Sequence, residues 1–377
     1  MPSTVNQNRL RGRRHSPLRT LSEIGCLADR RAGLYGDVVH GLPGVDFAAL
    51  TKWLDSEHPG LRAGPVTGEL IAGGKSNLTY RITDGASVWA LRRPPLAHVL
   101  PSAHDMGREF RVISALGGTD VPVAQAIALC PDPEVLGAPF YLMSFVDGVV
   151  FDQADRLAGL SPELARRACE QLVDTLLELH SIDPASVGLA EFGRPDGYLA
   201  RQVKRWHAQW QASETVRRPE LDELVERLTA TMPAQGAPAI VHGDYRLTNV
   251  IYRRDVSGIA AVVDWEMATL GDPLADVGLL AVYHRLAAVS DGVMPAMSPD
   301  NGFLSAEQMA ARYADGAGRD LSQLDWYIAL GYYKLAVISE GIHYRYLQGK
   351  TVGEGFSQMG DRVPQLLDAA LGLLAER

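Results

Sequence analysis

The stretch Val241-His242-Gly243-Asp244-Tyr245-Arg246-Leu247-Thr248-Asn249-Val250, followed by Val262-Val263-Asp264-Trp265-Glu266, decides how this chain is read. Ala239–Val241 and Ile259–Val263 are short apolar runs that lead straight into these polar motifs. Runs of this kind predict short buried strands. One strand delivers a loop with Asp244 and, five residues on, Asn249; the other delivers Asp264. A single aspartate after a strand usually just caps a turn. The paired pattern points to phosphoryl transfer. That reaction needs one carboxylate to accept or orient a hydroxyl proton. It also needs an amide oxygen and a second carboxylate for Mg²⁺, which prefers hard oxygen ligands and few protein ones.

Working outward, the chain of 377 residues has 46% apolar and 21% charged residues, the balance of a folded globular protein. Its length suggests two or three lobes. No window approaches 18 apolar residues in a row, so no transmembrane helix is expected. A net charge of −9 argues against a general nucleic-acid binder. Cys26, Cys130 and Cys169 are scattered and odd in number, which fits a reducing compartment and not a disulfide framework or zinc site. A cytoplasmic location is expected, with no membrane and no obligate protein partner. The first twenty residues carry Arg9, Arg11, Arg13, Arg14 and Arg19 without an acid and without a following apolar core, so they read as an arm rather than a secretion signal.

Asp46 reads as the N-cap of a short helix carrying Phe47, Leu50, Trp53 and Leu54. A strand-rich stretch follows, with Leu78–Ile82 alternating, a hairpin at Asp84-Gly85, and Val88–Arg92 returning. A helix is expected over 103–116, and strands near 123–129 and 140–146. Asp147-Gly148 then breaks the pattern. Beyond it helices dominate: one from Pro162 behind Ser161 to His180, then 197–212, 219–231, 274–286, 305–315, 322–347 and 361–376. The expected fold is α+β with two lobes. Residues 1–60 would form an arm and helix, 61–146 a small β-rich nucleotide-binding lobe, and 147–377 a larger helical lobe holding the catalytic loop and the acceptor site, with a cleft between the lobes.

Over residues 65–350 the chain resembles the aminoglycoside phosphotransferase and choline-kinase-like small-molecule kinases, bilobal relatives of the protein kinases. His242-Gly243-Asp244 is similar to their variant of the kinase HRD element, and Asp264-Trp265-Glu266 stands where DFG stands. Leu91-Arg92-Arg93-Pro94-Pro95 and His242-Gly243-Asp244-Tyr245-Arg246 most resemble the kinase-like domain fused to acyl-CoA dehydrogenases. The resemblance implies ATP and Mg²⁺ as cofactors, Asp244 as catalytic base, and Asn249 and Asp264 as metal ligands. Glu266 would be an outer or second metal contact. Asp276, in Gly271-Asp272-Pro273-Leu274-Ala275-Asp276-Val277-Gly278, would anchor the catalytic loop rather than react.

Nucleotide contacts are then expected in the β-rich lobe. Gly73-Gly74-Lys75-Ser76-Asn77 lies between strands, where backbone amides can cover phosphate oxygens. A P-loop reading fails, because its first glycine would be Glu69 and a strand follows instead of a helix. Protein kinases place a lysine on the third strand. Only five of the 36 Lys and Arg residues are lysines (Lys52, Lys75, Lys204, Lys334 and Lys350), leaving 31 arginines, and none of the five lies on that strand. Strand alternation puts Arg92 on one face with Ala90, which would roof the adenine. Arg92 is therefore expected to hold the phosphates, with Glu109 on the next helix as its partner. Met143, Ser144, Phe145 and Val146 read as the inter-lobe hinge, with Ser144 and Val146 offering backbone groups to adenine. His180, Trp206 and Trp210 read as structural residues.

The acceptor is expected to be a hydroxyl of a small molecule, of an apolar or acyl-bearing kind, and not an aminoglycoside. A polycation needs an acidic pocket. Residues 191–240 hold seven acids and seven bases, and 301–350 hold five and five. Trp206, Trp210, Trp326, Tyr327, Tyr332, Tyr333, Tyr344 and Tyr346 in these segments favour an apolar acceptor. Glu340 or Asp325 could still build a local acidic site. The rival readings are a catalytically dead nucleotide-binding module, a P-loop NTPase and a true aminoglycoside kinase.

Overall fold

Helix α1 (Phe47–Glu57) begins where the aspartate signal places it, with Asp46 accepting hydrogen bonds from the amides of Ala48 and Ala49 at 2.8 and 3.1 Å. The computed structural model describes residues 42–73, 77–96, 105–288, 296–349 and 358–375. The arginine-rich first twenty residues and Gly74, Lys75 and Ser76 lie outside the described residues. Pro43–Arg377 form one compact unit.

The small lobe is an antiparallel sheet. Its strands are β1 (Thr67–Gly73), β2 (Leu78–Thr83) and β3 (Val88–Arg93), then β4 (Ala126–Cys130) and β5 (Phe140–Ser144), in the order β1-β2-β3-β5-β4. The Asp84-Gly85 hairpin closes because Asp84 accepts from the amides of Ala86 and Ser87 at 2.9 and 2.6 Å. Between β3 and β4 runs α2 (Met106–Leu116), capped by Asp105 and packed on β4 and β5. Its buried side holds Met106, Val112, Ile113 and Leu116, and also the charged Glu109, which is 1% exposed. A one-turn helix α3 (Pro133–Leu136) leads into β5.

The larger lobe starts with α4 (Ala154–Ala158) and α5 (Pro162–Ser181), the latter capped by Ser161. Then come α6 (Tyr198–Ser213) and α7 (Pro219–Ala230). Two small ribbons follow. β6 (Ala239–Val241) pairs with β9 (Thr269–Gly271), and β7 (Val250–Tyr252) with β8 (Ile259–Val262). The sequence reading foresaw β6 and β8 but not β7 and β9. Helices α8 (Leu274–Ala287), α9 (Ala306–Ala317), α10 (Leu324–Leu347) and α11 (Met359–Ala375) complete the chain. α10 packs on α6, α8 and α11, while α5 packs on α9. Among the described residues no helix is long and apolar enough to cross a membrane.

Most aromatics expected at the acceptor site are core instead. Trp326, Tyr327 and Tyr333 are almost wholly buried, and they donate to the Leu228 carbonyl, the Asp272 carboxylate and the Val203 carbonyl. Their position on α10, buried between helices, explains why aromatic content misled.

The sheet joins the helical lobe through Gly148 and Val149. Val149 and Tyr252 exchange two backbone hydrogen bonds of 2.8 Å, which docks the connection onto β7. A Cβ on Gly148 would stand 2.3 Å from the Tyr252 carbonyl oxygen. Gly148→Ala should therefore cost about 1–3 kcal/mol of stability through overpacking. Urea unfolding would show it as a lower midpoint at unchanged slope; an unchanged midpoint would refute the close approach.

Candidate active site

β6 delivers His242, Gly243 and Asp244 onto a buried brace. The Asp276 carboxylate, on α8, accepts from the amides of His242 and Gly243 at 2.6 and 2.8 Å. His180 approaches Asp276 at 3.3 Å and pairs with the Tyr313 hydroxyl at 2.8 Å, so it is the satisfied structural histidine expected. Burial opposes the charge on Asp276, but the His180 hydrogen bond and the loop amides hold its carboxyl below the usual range. The His242 ring links the two motifs. Its Nδ1 accepts from the Asp244 amide at 3.2 Å, so its Nε2 carries the proton given to the Val263 carbonyl at 3.0 Å. Gly243 has φ of +81°, and a Cβ there would meet the Met267 carbonyl oxygen at 2.7 Å. Only glycine fits this turn.

The Asp244 carboxylate is held on both oxygens. Tyr283 donates to Oδ1 at 2.5 Å, Asn249 donates to Oδ2 at 3.0 Å, and Arg246 stands 3.5 Å from Oδ2. Asn249 also donates to the Asp244 carbonyl at 2.8 Å, leaving its own amide oxygen without a protein partner among the described residues. The Val263 amide donates to the Asn249 carbonyl at 2.9 Å, which ties the loop to the end of β8. Asp264 follows with φ of +69°, a strained left-handed conformation that turns its carboxylate toward the sheet. Asp244, Asn249 and Asp264 are thus brought together. Tyr283 carried no sequence signal, since a tyrosine on an apolar helix reads as core.

Across the cleft, Arg92 donates from Nε to Glu109 at 2.8 Å and from Nη2 to Asp264 at 2.5 Å. The expected Arg92–Glu109 pair is present. Tyr141, which lies opposite Arg92 in the sheet register, also donates to Glu109, at 3.0 Å. Burial pushes the Glu109 carboxyl up and Arg92 opposes that push. Glu266 is pushed up to about 7, first by burial and then by Asp264 and Glu109. Asn77, whose backbone amide is the group expected to help cover phosphates, turns its side chain inward. It is 4% exposed and donates to Glu109 at 2.9 Å and Glu266 at 3.3 Å, because a buried and a half-buried carboxylate both need donors. Gly73 ends β1, while Gly74, Lys75 and Ser76 lie outside the described residues.

At the hinge, Ala90 stands opposite Met143, so both share a face with Arg92. The Ser144 amide is spent on the Gln125 carbonyl at 2.9 Å, and Phe145 donates to Val88 at 3.4 Å. Ser144 thus has no amide to offer. The Val146 amide has no protein partner among the described residues.

A cavity of about 660 Å³ opens beside Gly243 and Glu266. Six cations line it: Arg108, Arg194, Arg201, Lys204, Arg205 and Lys334. The lining acids are Asp105, Glu266 and Asp276, and Asp276 is consumed by the loop amides. Neither suspected acid contributes. Glu340 is buried and accepts from Thr215 twice at 2.6 Å, and Asp325 is exposed outside the lining. The balanced charge counts therefore hid a basic wall. Trp206, read as helix packing, also lines the cavity, while Trp210 is core.

The model of the phosphotransferase enzyme family matches residues 67–327. The chain belongs to that family. This phosphotransferase-family chain is 31% identical to mouse acyl-CoA dehydrogenase family member 10 over 326 residues, which cover 85% of this chain and 30% of the relative. It spans less than half the length of the curated relatives it matches, 39% for the human acyl-CoA dehydrogenase family member 11, at 32% identity over 80% of this chain. A crystal structure from Ralstonia eutropha JMP134, named for the aminoglycoside phosphotransferases, superposes with a TM-score of 0.76 at 30% identity, covering 88% of this chain and 98% of that one. The ternary complex of aminoglycoside phosphotransferase APH(4)-Ia with AMP-PNP and hygromycin B shares the fold alone, with a TM-score of 0.56 at 15% identity over 87% of this chain and 98% of that one. The fold is thus the bilobal, kinase-like one expected, and a kinase-like phosphotransfer function goes with it.

In this phosphotransferase the buried ion cluster makes two testable statements. Arg92→Ala strands Glu109 without its cation and should cost about 3–5 kcal/mol, whereas adding Glu109→Gln should recover much of that loss. Additive losses in urea unfolding would show the pair to be uncoupled. In nucleotide-free and metal-free protein, Glu266 binds in the folded state a proton that the unfolded chain releases near its ordinary 4.5. Stability should therefore fall as pH rises from 4.5 to about 7, and Glu266→Gln should flatten that slope. An identical slope in both proteins would refute the raised carboxyl.

Proposed function

We propose that this chain transfers the γ-phosphoryl group of ATP, with Mg²⁺, to a hydroxyl of a small molecule that is not an aminoglycoside. The observation that carries this reading is the convergence of Asp244, Asn249 and Asp264 through the His242–Val263 link. The donor set suits magnesium, with an unpartnered amide oxygen on Asn249 and a carboxylate on Asp264, both hard ligands. When bound, Mg²⁺ neutralises phosphate charge and keeps the phosphates in line for transfer. The residues divide the remaining work. Val146 offers its amide to the adenine edge, beside Ala90 and Met143. Arg92, braced by Glu109, exchanges Asp264 for phosphate oxygens, which frees Asp264 as a ligand. Asp244, fixed by Tyr283 and Asn249, accepts the hydroxyl proton as the oxygen attacks.

The acceptor would enter by the cavity beside Gly243. Its six cations disfavour a polycation by like-charge repulsion. Leu279, Leu330 and Met267 on the same wall suit an acyl-bearing alcohol, and relatives named as acyl-CoA dehydrogenase family members support that direction.

The test is a radiolabelled-ATP transfer screen over aminoglycosides, choline-like amines, sugars and hydroxyacyl thioesters, with Asp244→Asn as the blank. Asp244→Asn should keep Mg-nucleotide binding and lower transfer by about 10²–10⁴-fold, the usual worth of a general base. Asn249→Ala and Asp264→Ala should weaken nucleotide binding in Mg²⁺ but much less in EDTA. Asp244-independent transfer would remove the base assignment. ATP binding with no transfer to any acceptor would favour a dead module. Efficient phosphorylation of kanamycin-type compounds would overturn the acceptor class alone.

A further inference from the structure

Among the described residues, Lys334 is a buried cation with no carboxylate in ion-pairing contact. It sits in the middle of α10 and is 8% exposed. Its ammonium donates to the Gly243 carbonyl, one residue before Asp244, and lies 5.4 Å from the centre of the Trp206 ring. An ammonium has three N–H donors. Among the described residues the Gly243 carbonyl is the hydrogen-bond acceptor found for it, and no carboxylate lies within ion-pairing distance.

The charged groups around it repair this only in part: Asp244 and Asp276 attract the ammonium from a distance, while burial, Arg205 and Arg246 oppose its charge. From the catalytic loop come Asp244, spent on Tyr283 and Asn249, and Arg246. From α8 comes Asp276, spent on two loop amides and His180. From α6 comes Arg205, whose guanidinium lies 5.7 Å from the same Trp206 ring and adds repulsion. Burial pulls the Lys334 ammonium below its ordinary range. Leaving such a cation unpaired is costly, and bracing a glycine carbonyl does not require it, since a neutral donor or water would serve. Lys334 also lines the cavity, together with Arg194, Arg201 and Arg205. What is missing is an anion, and the space for one is there.

We propose that Lys334 is a specificity-determining residue: its ammonium takes an oxyanion group, carboxylate or phosphate, carried by the alcohol whose hydroxyl faces Asp244. The inference rests on reading this cavity as the acceptor site. It places the anion of the acceptor on the wall next to the base, so that holding the anion also presents the hydroxyl. A neutral alcohol would leave the cation buried and unpaired, and so be rejected.

The experiment uses the full chain and inorganic phosphate as probe, with the nucleotide site filled by AMP-PNP and Mg²⁺. Wild type should bind phosphate saturably, Lys334→Met should bind it at least tenfold more weakly, and Lys334→Arg should stay within about threefold of wild type. In phosphate-free buffer, Lys334→Met should melt at the same or a higher temperature, because it removes an uncompensated charge. A lysine that only clamps the loop would instead lower the melting temperature and leave phosphate affinity unchanged. That result, or absence of phosphate binding to wild type, overturns the proposal. The kinase reading fails separately, through ATP turnover that ignores Asp244→Asn; the comparison of phosphate affinities does not depend on it.

Discussion

The site hangs on one buried carboxylate. Asp276 turns both oxygens to the amides of His242 and Gly243, and those bonds set the direction in which Asp244 leaves β6. A buried carboxylate is tolerable only when its lone pairs are filled. Here two amides and His180 fill them, and His180 is itself fixed by Tyr313 on α9. α8 supplies both Asp276 and Tyr283, so one helix braces the loop from below and grips the reactive carboxylate from the side. Gly243 is the complement of this arrangement, because any Cβ would push the turn off Met267.

The second organising cluster is polar and shared between the sheet and the ribbons. Arg92, Glu109, Asp264, Asn77, Tyr141 and Glu266 form one hydrogen-bonded cluster in the cleft. An arginine spans this site well. Its planar fork reaches Glu109 with one nitrogen and Asp264 with another, so the two carboxylates are held apart at a fixed separation rather than gathered around one compact ammonium.

Much of this was legible from the residues. Strong period and capping signals placed α1, α5, the β2–β3 hairpin and the long C-terminal helices. Strand alternation picked Arg92 over Arg93, and an acid at the edge of an apolar helical stripe picked Glu109. Asp276 was legible as an anchor because its motif resembles a known one. What escaped notice depends on where a side chain points after distant segments pack. Tyr283, Tyr141 and Lys334 look like ordinary members of apolar elements. Counting charges along 191–240 and 301–350 averaged over both sides of each helix, and so missed that arginines face the cavity while Glu340 is spent on Thr215. The same averaging made Trp326, Tyr327 and Tyr333 look available when they are core.

The contacts that close the cleft join residues far apart along the chain: Arg92 and Asp264 are separated by 172 positions, and Asn77 and Glu266 by 189. Loop-closure entropy for such pairs must be met before their bonds can form, so local hairpins and helix pairs assemble first. The cluster is then a late acquisition of folding, made only when sheet and ribbons have each taken shape. Until that moment Arg92, paired with Glu109 only 17 positions away, lacks Asp264, and Asp264 lacks its orientation. A chain halted earlier would hold most of its helices and none of its chemistry.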